Sequence, residues 1–194
     1  MHILHGLHQQ TKKSKRGMEE EMVKVGILGY GTVGSGVFEI LNKNSDIITK
    51  RAGQDIEVKY VLDLRDFPGD PAENYVVHDF SILENDDEVK IVVETMGGLH
   101  PAYEFVKASL LKGKNVVTSN KALVAAFGTE LLQIARDKNV NFLFEASVGG
   151  GIPIIRPLQT SLAPDEIEEI SGILNGTTTV SYTHLRAHET DQYL

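Results

Sequence analysis

Apolar residues along the chain fall into short runs that alternate with longer segments of mixed apolar and polar positions. Several runs are rich in β-branched or aromatic residues and have the length of a buried strand. Short apolar runs bounded by glycine or polar residues favour strands over helices, which need about ten residues or more. The predicted strands are VKVGILG, EVKYVLDL, VKIVVETM, NVVTS and VNFLFEA.

The segments between these runs carry apolar residues at helical spacing. The first predicted helix, in VGSGVFEIL, places on one face the residues Val33, Val37, Ile40 and Leu41. A second helix is predicted from about Pro101 to Lys112, because proline suits an early helical position and a glycine follows the helix end. A third is predicted from about Thr129 to Lys138, and the polar segment NKNSDIITKRAGQD is predicted as a surface loop or an extended helix end.

Strands that alternate with helices predict a parallel sheet covered on both faces, which is a doubly wound α/β domain. We assign residues 22–148 to this domain and residues 149–179 to the incomplete start of a second, α+β domain. Residues 1–21 and 180–194 differ in character from the middle of the chain. We predict a disordered leader and a non-native or disordered tail.

Composition narrows the class of protein. Hydrophobic residues make up 41% and charged residues 24% of the 194 residues, as in ordinary globular proteins. The formal net charge of −8 argues against a nucleic-acid partner, because phosphate binding needs a basic face. No apolar run approaches the roughly 18 residues of a membrane-spanning helix. With no cysteine there is no disulfide or thiol nucleophile. We expect a cytoplasmic enzyme or binding protein with a small-molecule ligand.

The first strand-to-helix turn carries the sequence GYGTVG. Gly29 permits the tight turn, Gly31 lets the backbone approach a pyrophosphate, and Gly34 lets the helix pack closely on the strand. The helix N-terminus then offers N–H groups and a partial positive charge to phosphates. A glycine-rich turn alone is a weak signal, but this one follows a strand and opens a helix. The context predicts a dinucleotide-binding fold of the Rossmann type.

The end of the second predicted strand bears on which dinucleotide binds. Asp63 stands where a carboxylate would accept bonds from the adenosine ribose of NAD. Arg65 lies two residues later and suits the 2′-phosphate of NADP. Asp63 is also farther from the glycine turn than usual, and a solvated strand-end residue is the ordinary alternative. The sequence leaves the choice between NAD and NADP open.

From the glycine turn onward the chain resembles homoserine dehydrogenase. The motifs that carry the resemblance, over roughly residues 22–179, are GYGTVGSGV, VVETMGGLHPA, GKNVVTSNKALVA and FEASVGGGIPII followed by GILNGTT. The resemblance implies NAD(P)H-dependent, reversible reduction of L-aspartate 4-semialdehyde to L-homoserine, on the route to threonine and methionine. It also implies that Thr32, Val33 and Thr95 contact the cofactor, although each residue also suits an ordinary structural role.

Lys121, in TSNKAL, follows the carboxyl end of a predicted strand, where ligands bind in a doubly wound sheet. Hydride transfer to an aldehyde creates an alkoxide, and an ammonium group stabilises that charge and supplies a proton. A solvated lysine at a turn is the alternative reading from the residues alone. The resemblance implies that Lys121 is catalytic and close to the nicotinamide.

Two further sites are implied by the resemblance. One is a monovalent cation site, typically for sodium, held largely by backbone carbonyls of Glu145, Val148, Gly150 and Ile152. Glycines there suit converging carbonyl oxygens, and they equally suit a hinge between domains. The other lines the substrate cleft with Asn175, Gly176, Thr177 and Thr178, residue types that also make turns and caps.

The family pattern extends beyond GILNGTT into a substrate and dimerisation domain, which carries a second catalytic lysine and acidic substrate ligands. We therefore expect this chain to be a fragment with little activity, and we expect the intact protein to form a homodimer. Two other functions stay open. One is a different NAD(P)-dependent dehydrogenase, and the other is a non-catalytic, nucleotide-sensing Rossmann module, which would have no need of the SNKA and GILNGTT motifs.

Overall fold

The computed structural model describes residues 22–161 and residue 169. Six strands form one sheet in the order β3-β2-β1-β4-β5-β6. The pairs β1/β2, β2/β3 and β5/β6 are parallel. This strand order is that of doubly wound dinucleotide-binding sheets, so the predicted fold class is confirmed. The strands are β1 (Val23–Leu28), β2 (Ile56–Leu62), β3 (Val76–Val77), β4 (Val89–Glu94), β5 (Asn115–Thr118) and β6 (Phe142–Leu143).

Helices connect the strands. They are α1 (Thr32–Lys43), α2 (Ser45–Ala52), α3 (Phe80–Glu84), α4 (Ala102–Leu111), α5 (Lys121–Asp137), α6 (Ala146–Gly149) and α7 (Ile155–Ser161), with a 3₁₀ turn at Glu73–Tyr75. The polar segment after α1 forms the exposed helix α2, which has no buried residue. Within residues 22–161 and residue 169, no helix is long and apolar enough to cross a membrane.

The chain divides into two compact units, the first ending at Ile91 and the second beginning at Val92. In the first unit, apolar side chains of β1 and β2 pack with Leu83 of α3. Gly26 lies at a register irregularity in the β1/β2 pair, and Leu83 packs directly against its Cα. The absence of a side chain at Gly26 is therefore what allows α3 to approach β1.

The second unit has its own apolar core, formed by Val92, Val106, Leu110, Val116, Leu123 and Leu131. Helices α4 and α5 also contact each other nearer the surface. Tyr103 stacks on Phe127 with ring centroids 4.1 Å apart, and Lys107 forms an ion pair with Glu130 at 2.7 Å. These contacts hold the two helices side by side.

Two of the four residues predicted to share the packing face of α1 were wrong. Val33 and Ile40 are 52% and 55% exposed, whereas Gly34 and Phe38 are buried. The true face runs through residues 34, 37, 38 and 41, with the helical spacing of three and four residues. A count of apolar side chains missed this face because its centre is a glycine, whose small size lets the helix pack closely.

Two element boundaries also differ from prediction. Helix α5 begins at Lys121 rather than near Thr129, because the Asn120 side chain accepts the Leu123 N–H at 3.1 Å and caps it. Gly128 lies buried inside this helix and does not interrupt it. Strand β6 covers only Phe142–Leu143, since the chain turns into α6 immediately afterwards.

Some predictions fall on parts of the chain without a structural description. The leader at residues 1–21 and the tail at residues 180–194 lie outside the described residues. So do the predicted substrate residues Asn175, Gly176, Thr177 and Thr178.

The contact between Gly26 and Leu83 predicts a specific packing defect. A Cβ at residue 26 would lie 2.3 Å from Leu83 Cδ1, so Gly26→Ala should lower the free energy of unfolding by about 1–3 kcal/mol. Leu83→Ala should cost about 2–5 kcal/mol alone, and the double variant less than the sum, because the truncated side chain makes room. Urea unfolding measures these values. Strictly additive losses would contradict the contact, and Gly36→Ala, at an open helical position, serves as control.

Candidate cofactor site and active site

The glycine turn between β1 and α1 is tied to the end of β2 by two hydrogen bonds. Gly29 has a φ of 91°, which glycine adopts without strain, and its N–H donates to the Leu62 carbonyl at 2.8 Å. The next N–H, of Tyr30, donates to Asp63 Oδ2 at 2.8 Å. The turn is thus held in shape by the neighbouring strand.

Gly31 differs from Gly29 because the fold itself does not require a glycine there. Its φ of −83° and ψ of −162° suit any residue, and a Cβ would meet no atom of the described chain within 4 Å. Helix α1 begins at the next residue. Within the described residues, no side chain caps α1 and no acidic residue lies in its first turn. The turn therefore combines open space with unblocked amide donors at a helix N-terminus.

Tyr30 was not singled out from the sequence, yet it anchors the turn. Its ring is 7% exposed and packs edge-on against Phe38 and Phe67, at centroid distances of 5.9 and 4.9 Å. Its hydroxyl donates to Asp70 at 2.8 Å. Burial, together with the nearby Asp70 carboxylate, raises the pKa of Tyr30 to about 12, so the phenol stays neutral. The sequence feature that could have indicated this role is an aromatic residue between two glycines of the turn.

Asp63 and Arg65 lie together at the end of β2. Asp63 Oδ1 accepts from the Arg65 backbone N–H at 3.1 Å and from Arg65 Nε at 3.0 Å. Hydrogen bonds from the Arg65 side chain lower the pKa of Asp63 to about 2 against the opposing effect of burial. The Asp63 side chain is 11% exposed, whereas that of Arg65 is 64% exposed and lies over the Phe67 ring at 5.0 Å. Arginine is the more accessible member of the pair.

The end of β4 holds a buried carboxylate that the sequence reasoning did not single out. Glu94 is fully buried, and its Oε1 accepts the Met96 N–H at 2.8 Å and the Gly97 N–H at 3.4 Å. Thr95, the predicted cofactor contact, is half-buried and lies at the start of this loop. Gly97 and Gly98 both have positive φ, of 75° and 73°.

The end of β5 brings three polar residues together. The Thr118 hydroxyl donates to Glu94 Oε2, and Thr118 Oγ1 accepts the Asn120 N–H at 2.9 Å. Asn120 caps α5 and donates from Nδ2 to the Gly98 carbonyl at 2.6 Å. Lys121, the predicted catalytic residue, is the exposed first residue of α5. In sequence, the buried polar residues Thr118 and Asn120 are thus followed directly by the exposed ammonium group of Lys121.

The segment predicted to bind a cation lies around α6. The Glu145 side chain accepts N–H groups at the start of α7, from Ile154, from Ile155 at 2.8 Å and from Arg156 at 2.8 Å. Those hydrogen bonds lower the pKa of Glu145. Val148 lies in α6, Gly150 follows it with a φ of 60°, and Ile152 is 72% exposed. Across the described part of the chain, no three His, Cys, Asp or Glu side chains cluster as metal ligands.

Comparison with known proteins identifies the family. Residues 29–145 match the family model described as homoserine dehydrogenase, NAD binding domain. The chain belongs to the homoserine dehydrogenase family. Residues 153–193 match a second model, described as homoserine dehydrogenase.

Individual relatives agree with this family assignment. Homoserine dehydrogenase from Pseudomonas aeruginosa is 42% identical over 156 residues, which cover 80% of this chain and 36% of that protein. A crystal structure of a homoserine dehydrogenase from Thiobacillus denitrificans is 42% identical with a TM-score of 0.72, and covers 80% of this chain and 37% of that chain.

A hyperthermophilic archaeal homoserine dehydrogenase, solved in complex with NADPH, is 29% identical with a TM-score of 0.59, over 71% of this chain and 48% of that one. The chain spans little more than a third of the length of the curated relatives it matches.

The ion pair of Asp63 predicts a pH-dependent stability. Because the folded-state pKa is about 2 and the ordinary value is 3.8, the stabilisation is complete above about pH 4 and is lost as the pH falls toward 2. Asp63→Asn should cost about 1–2 kcal/mol at pH 7, a value reduced for the solvent exposure of Arg65.

Urea unfolding between pH 3 and 7 measures the difference between wild type and Asp63→Asn. That difference should be about halved at pH 3. Asp87→Asn, at an exposed position of the same unit, is the control and should show a small effect throughout. A difference in unfolding free energy that stays constant with pH would contradict the lowered pKa of Asp63.

Proposed function

We propose that this chain binds NADP(H) or NAD(H) and forms the cofactor-binding part of an enzyme that reduces L-aspartate 4-semialdehyde to L-homoserine. The observation that carries the proposal is Gly31, where neither backbone strain nor a steric clash within the described chain accounts for a glycine. A close-lying pyrophosphate does account for it. The uncapped start of α1 then supplies the amide donors and the favourable dipole.

The adenosine end of the site favours NADP(H). The Asp63 carboxylate is mostly buried and already accepts the Tyr30 N–H and three donors of Arg65, so it is poorly placed to accept ribose hydroxyls as well. The Arg65 guanidinium is mostly exposed and is a fitting partner for a 2′-phosphate. Arg65, Thr32, Val33 and Thr95 remain proposed cofactor contacts, and Asp63 is proposed to serve the cofactor site by holding Arg65 in place.

The proposed chemistry uses Lys121. When bound, the nicotinamide supplies the hydride that reduces the aldehyde carbon. Lys121 lies at the N-terminus of α5, where its ammonium is exposed. It stabilises the negative charge that develops on the aldehyde oxygen, and it donates the proton that completes the alcohol.

A monovalent cation such as sodium would be held by backbone carbonyls of Glu145, Val148, Gly150 and Ile152. The Glu145 carboxylate already accepts N–H groups of α7, so its main-chain oxygen is the ligand to consider. That carbonyl accepts the Val148 N–H at a long 3.3 Å. The left-handed Gly150 then turns the chain sharply, as converging carbonyl ligands require.

Further parts of the proposal concern the intact protein. We propose that Asn175, Gly176, Thr177 and Thr178 line the substrate cleft and that the intact protein is a cytoplasmic homodimer.

Replacement of Gly31 tests the phosphate-binding turn. Gly31→Ala should leave the unfolding free energy within about 0.5 kcal/mol of wild type, because its backbone angles are ordinary and its surroundings open. Its affinity for NADPH, measured by cofactor fluorescence, should fall at least tenfold, or about 1.4 kcal/mol. Gly36→Ala adds the same methyl group five residues along the chain and should bind normally. Unchanged NADPH binding by Gly31→Ala would refute the proposal.

Replacement of Lys121 tests the chemistry. The 194-residue chain should reduce L-aspartate 4-semialdehyde at below about a thousandth of an ordinary enzyme turnover of about 10 s⁻¹. In a longer chain that includes the rest of the family's substrate domain, Lys121→Ala should lower kcat about 10²- to 10⁴-fold. Lys138→Ala, at the other end of α5, should leave kcat unchanged. Equal activity of the two variants would remove Lys121 from the mechanism.

A further inference from the structure

Burying Glu94 carries a large desolvation cost. Glu94 is fully buried as the last residue of β4, where the other buried residues, Val89 and Val92, are apolar. A buried carboxylate is tolerated only when hydrogen bonds replace its lost hydration, and an apolar residue would carry no such cost. Glu94 finds its donors in the loop after β4 and at the last residue of β5. They are the N–H groups of Met96 and Gly97 and the hydroxyl of Thr118.

The network continues from Thr118 and closes on itself. Thr118 Oγ1 accepts the Asn120 N–H, and Asn120 Nδ2 donates to the Gly98 carbonyl at 2.6 Å. The loop after β4 is therefore held at Gly97 by Glu94 and at Gly98 by Asn120. The turn after β5 is held at Thr118 and Asn120 by the same connections, and the Ser119 N–H adds a bond to the Glu94 carbonyl at 3.3 Å.

The members of the network are themselves inaccessible, since Glu94, Thr118 and Asn120 are 0%, 1% and 6% exposed. The residues next to them in sequence are the proposed ligand contacts, half-buried Thr95 and exposed Lys121. Glu94 thus has no route to a bound molecule, but it fixes the backbone on which both contacts are carried.

We propose that Glu94, acting through Thr118 and Asn120, is a positioning residue for the nicotinamide half of the cofactor site. This role rests on the proposed cofactor binding and assigns the two ends of the cofactor to different groups of residues. The glycine turn and Arg65 hold the phosphates and the adenosine, whereas the Glu94 network sets the geometry of Thr95 and Lys121. A defect in the network should weaken binding of the nicotinamide portion alone.

The test compares two probes on the 194-residue chain. One is NADPH, and the other is 2′-phospho-ADP-ribose, which has the same phosphates and adenosine but no nicotinamide. Thr118→Val keeps the shape of the side chain but removes the hydroxyl that bonds Glu94 and Asn120. It should weaken NADPH binding about tenfold, as expected for lost buried hydrogen bonds, and change binding of 2′-phospho-ADP-ribose less than about twofold. Thr118→Ser keeps the hydroxyl and should restore wild-type affinity for both probes.

A merely structural role would weaken both probes equally in Thr118→Val, which overturns the inference and leaves the proposed function standing. Unchanged affinity for both probes overturns the inference as well. A wild-type chain that binds neither probe overturns the proposed function and the inference with it. If Thr118→Val does not fold, Asn120→Ser decides in the same way, because serine can still cap α5 but its shorter side chain should lose the bond that Asn120 Nδ2 makes to the Gly98 carbonyl.

Discussion

Backbone N–H groups in turns and at helix starts lie outside the sheet ladder and need other acceptors, and in the described part of the chain three carboxylates at or near strand ends accept several of them. Asp63 follows β2, Glu94 ends β4 and Glu145 follows β6 closely. Each accepts N–H groups of a turn or a helix start. The donors are Tyr30 for Asp63, Met96 and Gly97 for Glu94, and Ile154, Ile155 and Arg156 for Glu145. The loops that carry the proposed site are therefore fixed by acids at strand ends.

This arrangement separates the groups that hold the site from the groups that meet a ligand. Glu94, Thr118 and Asn120 are buried and bonded to one another or to backbone. Arg65 and Lys121 are exposed. Burial makes the holding groups rigid, because a buried polar group that loses its partner is costly. Exposure leaves the charged groups able to meet phosphate or a developing alkoxide. This separation would let the loops of the proposed cofactor site keep their shape before a ligand binds.

Local sequence patterns were enough to predict the alternating strands and helices, the glycine turn and the acid that follows β2. Each depends on residues close together in sequence. The buried face of α1 was mispredicted because it is centred on Gly34, which a hydrophobicity pattern does not count. Glu94 was overlooked because a carboxylate after an apolar run suggests a strand that ends in solvent. Its burial depends on a hydroxyl 24 residues away, which only the folded chain brings near.

The most direct measurement is a titration of the isotope-labelled chain with NADP⁺, followed by the backbone amide chemical shifts. The amides of residues 31–34, at the open glycine and the start of α1, should show the largest changes as the cofactor binds. The amides of residues 95–98 should change as well, because the loop that Glu94 holds would face the nicotinamide. Saturable binding that leaves the amide shifts of residues 31–34 unchanged would contradict phosphate binding at the glycine turn.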